Sequence, residues 1–266
     1  MLTPHCWLVP HLPTLLLDEV RGEATDMLSA LEVVRARFVA DAPEVIVALS
    51  ARWESEGPFL AGDAAWHAGI SEAHGLGVEV RYDVPGEPAL ARAIAARAQR
   101  AGLAAAASTV RGIDSGIAVP LHFLAPERRI PVVPLSLAPA PAEAHRRWGA
   151  AVREALASWP QRVAFVVGGM LSHNVHAWAL HREVPEARVL DERLLEQFAR
   201  GDWRRVVALA AGAPERAQAE AGLRHLEVLR GVLGADIPGM VACYEPAPGL
   251  GAALVEWTLE PAPTSR

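Results

Sequence analysis

The sequence predicts an α/β fold, a single domain with a central, mostly buried sheet and helices on both faces. Short apolar runs alternate along the chain with long amphipathic stretches. The runs are rich in β-branched residues and bounded by Gly or Pro, as buried strands are. Twice a helical stretch leads directly into such a run, from Arg35 to Ser50 and from Trp148 to Gly168, the pattern of a sheet covered on both sides.

Taken in order, the first strand is Cys6–Val9, followed by a helix over Leu17–Ala40 and a strand over Val45–Ser50. A strand at Val78–Tyr82 precedes a helix at Pro88–Ala101. Pro131–Leu137 is the next strand, and the Pro/Ala stretch behind it is an ordinary connection into a helix at Ala142–Ser158. Val163–Gly168 follows as a strand, then helices at Ala187–Arg200 and Asp202–Ala210, the second capped by Asp202 after Gly201. A long helix over Ala217–Leu233 and strands at Met240–Tyr244 and Ala253–Leu259 complete the chain. Residues 1–260 are expected to form one domain, and the Pro/Thr/Ser-rich tail 261–266 to fray.

Composition narrows the function classes. Of 266 residues, 52% are hydrophobic and 21% charged, with a net charge of −6, the balance of a folded protein with no nucleic-acid-binding surface. No apolar run is long enough to span a bilayer, and no basic segment opens a signal peptide, so a cytoplasmic location is expected. There is no lysine, which excludes a Schiff-base lysine and a Walker A loop. Two cysteines, Cys6 and Cys243, leave no disulfide framework or cysteine-rich zinc site. The ten histidines are the informative surplus, since imidazole is both a metal ligand and an acid/base group.

Polar groups cluster just after predicted strands, where α/β proteins collect their sites. They are His11 in Val9-Pro10-His11-Leu12-Pro13, Ser50-Ala51-Arg52-Trp53, Gly112-Ile113-Asp114-Ser115-Gly116, and Gly168-Gly169-Met170-Leu171-Ser172-His173-Asn174. Ala219-Glu220-Ala221-Gly222 opens a helix. Singly, each reads more readily as a structural residue: a hydrogen-bonded histidine, a solvated carboxylate favoured at a helix start. Asp114-Ser115-Gly116 lacks the G-x-S-x-G elbow of a nucleophilic serine.

In this order, with Tyr244-Glu245-Pro246, Gly249 and Gly251, these segments resemble the class III extradiol ring-cleavage dioxygenases. The resemblance is to the superfamily of the protocatechuate 4,5-dioxygenase catalytic subunit, and most of all to the related domain of AmmeMemoRadiSam system proteins. It runs from about Leu8 to Trp257. It implies a non-haem Fe(II) centre of two histidines and a glutamate, with open positions for a catechol and O₂. It assigns His11 and Glu220 as metal ligands and His173 as acid/base; another branch sets its glutamate two positions later, where Gly222 stands.

Two positions depart from the family pattern. Arg52 stands where the second iron-ligating histidine of a Ser-Pro-His segment is expected, and Ser115 where Leu-Asp-His-Gly would supply an active-site histidine. Arginine offers no lone pair to a metal. His67 and His122 are substitutes by proximity in sequence alone, and His176 and His181 are read as surface residues. The reading that follows is a family member with a degenerate iron site, acting as a non-catalytic subunit or binding module, or else an active Fe(II) dioxygenase with a changed ligand set. Catalytic roles fall on His173 and Ser115, binding roles on Arg52, Asp114, His67 and His122. Arg52 is expected either to replace the lost cation by pairing with Glu220 or to turn outward. The implied partners are a small aromatic molecule and a second subunit, of the same chain or the same family, with neither nucleic acid nor membrane.

Overall fold

The computed structural model describes residues 1–73, 78–109 and 112–259. Its elements in chain order are β1 (Leu2–Val9), α1 (Thr14–Arg21), α2 (Asp26–Ala40), β2 (Val45–Glu54), β3 (Phe59–Gly62), β4 (Trp66–His67), β5 (Ile70–Ala73), β6 (Val78–Arg81), β7 (Val84–Pro85), α3 (Pro88–Arg100), β8 (Ala105–Ser108) and α4 (Ser115–Leu124). There follow β9 (Val132–Leu137), α5 (Ala142–Ala157), β10 (Val163–Gly168), α6 (Val175–Ala179), α7 (Pro185–Arg200), α8 (Trp203–Ala211), α9 (Arg224–Leu233), β11 (Met240–Ala247) and β12 (Leu250–Thr258). The tail expected to fray lies outside the described residues.

Eight strands form the central sheet in the order β11-β12-β1-β10-β2-β9-β3-β8. Its middle, β1-β10-β2-β9, is parallel, with antiparallel β12 and β11 closing one side. Alternation of side chains sorts the core into two layers. Leu8, Val47, Leu49, Phe165 and Val167 face Trp148 of α5, Phe198 of α7 and Leu229 of α9. Trp7, Val9, Ile46, Ala48 and Val166 face Leu15, Phe38 and Leu121 of α1, α2 and α4. The sheet is covered on both faces, as its near-continuous apolar strands require.

Three expectations are corrected. The helix expected over Leu17–Ala40 is two, because Gly22 takes a left-handed conformation (φ 67°) and Thr25 caps α2 by accepting from the Leu28 N–H. The strand expected at Val78–Tyr82 forms, as β6 over Val78–Arg81, but pairs with β5 in a hairpin outside the main sheet. The helix expected over Ala217–Leu233 begins only at Arg224. Ahead of it, Ala221, Gly222 and Leu223 all have positive φ (49°, 59° and 58°), a left-handed turn that no continuous α-helix accommodates.

The parallel register sets the site. Val9 of β1 pairs with Gly168 of β10, and Gly168 pairs with Ser50 of β2, so β1 and β10 end level with Ser50, while β2 runs on to Glu54. Just past this level the chain carries His11, Met170 to His173, and, still on β2, Arg52.

Candidate metal and substrate site

Glu220 reaches these strand ends through backbone pairing. The Glu220 N–H donates to the Leu171 carbonyl (2.9 Å), and the His173 N–H to the Gln218 carbonyl (2.9 Å). On the other side the Leu171 and Asn174 N–H groups donate to Gly251 and Gly249. The segment carrying His173 is thus held between the segment carrying Glu220 and the start of β12. The left-handed turn at 221–223 reverses the chain into α9; its two non-glycine residues, Ala221 and Leu223, are the kind of backbone strain that functional sites retain.

Three side chains converge there. His11 Nε2 lies 2.7 Å from Glu220 Oε1, and His173 Nδ1 lies 3.2 Å from the same oxygen. The two imidazoles stand edge to face, 5.2 Å between ring centres. The second oxygen of Glu220 accepts from the Met170 N–H (2.5 Å). His11 and Glu220 are buried, at 1% and 6% exposure, while the His173 side chain keeps 16%. One ligand atom from each of the three lies within 4.8 Å of the others.

Burial alone would raise the Glu220 carboxyl, but the positive charge and hydrogen bond of His11, with the charge of His173, outweigh it and hold it down at about 2. His173 moves the opposite way, to about 4, because burial disfavours its charged form; Glu220 opposes this, and His11 and Arg52 reinforce it. The site at neutral pH is therefore an ionised carboxylate beside a neutral His173, the protonation states in which both groups can bind a metal. Two imidazoles and one carboxylate, one of them partly open to solvent, are the donor set that suits ferrous iron with open positions.

The other expected site residues fall differently. Arg52 is exposed, two residues past the Ser50–Gly168 register, and its backbone N–H donates to Ser50 Oγ (3.1 Å). It makes no ion pair with Glu220, whose two oxygens are already taken by His11, His173 and the Met170 N–H, so the expected charge replacement is corrected: Arg52 turns outward. Asp114 accepts from Ser50 Oγ (2.8 Å) and stands at the N-cap of α4, whose first residue is Ser115. The motif around them has a packing reason. A Cβ on Gly116 would lie 2.2 Å from Ser50 Oγ, and one on Gly168 1.5 Å from the Gly116 carbonyl, so α4 meets the sheet only because both are glycine. His67 is not at the site; it packs among Gly62, Gly86 and Pro134 around β9. His122 Nε2 is instead 2.7 Å from Glu19 of α1. His176 and His181 are exposed.

Sequence reasoning missed His225. It is fully buried on α9, its ring against Gly169, where a Cβ would approach it to 2.8 Å. Burial lowers it to about 4, against the pull of Glu220. A histidine on the apolar face of a helix carries no spacing signal that separates it from core, and none marked this one.

The family model for the catalytic LigB subunit of aromatic ring-opening dioxygenase matches residues 5–255. The chain is 30% identical over 167 residues to Dioxygenase tasH of Hapsidospora irregularis, a match covering 60% of this chain and 50% of that protein. It is 30% identical over 112 residues to 4,5-DOPA dioxygenase extradiol of Mirabilis jalapa, covering 41% of this chain and 42% of that one. The matched stretches thus span half or less of these curated relatives. The crystal structure of uncharacterized protein JW3007 from Escherichia coli K12 superposes with a TM-score of 0.71 at 20% identity, over 95% of this chain and 98% of that one, and so shares the fold.

Proposed function

The chain belongs to the family of the catalytic LigB subunit of aromatic ring-opening dioxygenase, and on that premise we propose that it is a metal-dependent extradiol-type dioxygenase with a changed ligand set, His11, His173 and Glu220, acting on a small aromatic diol. The observation that carries this reading is the meeting of His11 Nε2 and His173 Nδ1 on one oxygen of an ionised, buried glutamate. It supports a facial triad in which His173 stands in for the histidine that Arg52 displaced.

Fe(II) bound there would hold the diol oxygens and O₂ at its open positions. The chain's own residues do the rest. Met170 N–H fixes Glu220, so that one oxygen stays turned to the histidines. His173, neutral at pH 7 and the most exposed of the three, keeps a lone pair for the metal and stands where an incoming diol would approach. His173→Ala tests the ligand role: loss of the metal supports the triad, whereas a retained metal with turnover lowered roughly 10²–10⁴-fold would make His173 a base instead and overturn it.

A second reading is favoured by one specific observation. Glu220 is already fully engaged by His11, His173 and the Met170 N–H, which suits a metal-free binding module or partner subunit of the same family. Anaerobic equilibration with Fe(II), followed by desalting and metal analysis, separates the two. The proposed function expects about one iron per chain and oxygen uptake with catechols. Negligible iron and no uptake would leave the non-catalytic reading standing.

A further inference from the structure

The motif of Tyr244, Gly249 and Gly251 supplies none of the three convergent side chains, yet all three of its residues bear on the segment that presents His173. The Asn174 N–H donates to the Gly249 carbonyl (2.8 Å), and the Gly251 N–H donates to the Ser172 carbonyl (3.0 Å). Gly249 has a left-handed φ of 72°, and a Cβ there would come to 2.9 Å from the Asn174 carbonyl. Tyr244 Oη donates to Asp191 Oδ2 (3.1 Å), the oxygen that also accepts from Ser172 Oγ (2.7 Å). A Cβ on Gly251 would collide with that same oxygen, so the carboxyl reaches Ser172 only across a glycine.

Packing gives no reason for an acid at position 191. Asp191 is 1% exposed, on the face of α7 that buries Ala187, Leu190, Leu194 and Phe198 in the core. Burying a carboxyl there costs free energy that an apolar residue would not. What the carboxyl brings is a meeting of two donors from two other elements, Tyr244 of β11 and Ser172 of the segment after β10, on one oxygen. His173 follows Ser172 directly, with its own N–H on the Gln218 carbonyl (2.9 Å) and its Nδ1 3.2 Å from Glu220. The Ser172 hydroxyl therefore ties the residue beside the imidazole to α7.

We infer that Asp191 is a positioning residue for His173: acting through Ser172, it fixes the turn that keeps the imidazole at Glu220, and Tyr244, Gly249 and Gly251 complete the clamp. The role of His173 as a metal ligand rests on the proposed function; the clamp on its segment rests on Asp191 and Ser172. Groups that orient a ligand without touching the metal commonly carry about tenfold or more of its affinity.

The test reads two quantities on the full chain: Fe(II) affinity by anaerobic titration, and backbone amide exchange in metal-free protein by NMR. Asp191→Ala and Ser172→Ala are each expected to weaken Fe(II) binding about tenfold. Each should also speed exchange at the His173 and Asn174 amides about tenfold beyond any change at Val166, buried in β10. Asp191→Asn keeps an acceptor for both hydroxyls and should stay within about twofold of wild type in both readouts. The double variant Asp191→Ala with Ser172→Ala should be no worse than either alone, because the two act along one path. If Asp191→Ala does not fold, Ser172→Ala carries the comparison, since Asp191 is the acceptor of that hydroxyl. Lower stability in urea with unchanged exchange at His173 is what a merely structural carboxyl gives, and would overturn the proposal. Asp191→Asn as impaired as Asp191→Ala would overturn it too. Wild type that takes up no Fe(II), with exchange at His173 still dependent on Asp191 and Ser172, overturns the proposed function and keeps the clamp. Fe(II) bound equally by wild type and every variant overturns the positioning role alone.

Discussion

Asp191 offers a quantitative test of how the buried polar groups behind the site are set. It is 1% exposed on α7, and its Oδ2 accepts from Ser172 Oγ (2.7 Å) and Tyr244 Oη (3.1 Å). Ser172 is the residue before His173, so this carboxyl anchors the segment that presents the histidine. Burial raises it from the ordinary 3.8 to about 7, although the hydrogen bonds from Ser172 and Tyr244 pull the other way. A raised carboxyl pKa means that folding favours the protonated form; the stability it contributes is present below the unfolded value and is lost as pH climbs toward 7. Three units correspond to about 4 kcal/mol over that whole range, of which about 3 kcal/mol falls between pH 5 and pH 8. Asp191→Asn keeps an oxygen for Ser172 and Tyr244 and cannot ionise. Urea unfolding of both proteins at the two pH values should therefore show the stability of the variant relative to wild type rising by about 3 kcal/mol between pH 5 and pH 8. A difference that is the same at both pH values would show that Asp191 titrates normally and that the reasoning is wrong.

Two further outcomes follow from the same structure. His225 and His173 are both lowered to about 4 by burial, so the stability tied to their neutral forms is present above 6.5 and lost as pH falls from there toward 4; His225→Gln should remove about 3 kcal/mol of that acid-side loss in thermal or urea unfolding from pH 7 to 4, and an unchanged slope would count against it. Gly168→Ala drives a methyl group into the Gly116 carbonyl and should destabilise by at least about 1–3 kcal/mol in urea unfolding, whereas a cost near zero would mean that α4 is not seated on the sheet as described.

Much of this architecture is written locally. The runs that became β2, β9 and β10 are β-branched and bounded by breakers, and Val163–Gly168 reads from sequence with the bounds it has in the structure. His11, His173 and Glu220 were singled out from sequence, and the structure brings them together. What was not legible depends on tertiary context. The strand Ala105–Ser108 is three alanines and a serine, with no strand propensity of its own, and is recruited by pairing with β3. The helix Ser115–Leu124 is apolar nearly all round and contains Pro120, so no amphipathic period announces it. The turn at 221–223 places two ordinary residues in a glycine-like conformation, which propensity reads as helix. Of the two expectations for Arg52, pairing with Glu220 fails because His11, His173 and the Met170 N–H already occupy both carboxylate oxygens, and nothing local to Arg52 reveals that.

The most direct test of the central claim is the position of a metal. Crystals grown anaerobically with Fe(II), with diffraction recorded on both sides of the iron absorption edge, should show one anomalous peak bonded to His11 Nε2, His173 Nδ1 and Glu220 Oε1, at roughly 2.0–2.2 Å from each, as first-row metals sit with such ligands. A peak that involves other residues, or no peak at this triad with His11 and His173 still closed on Glu220, would contradict the account.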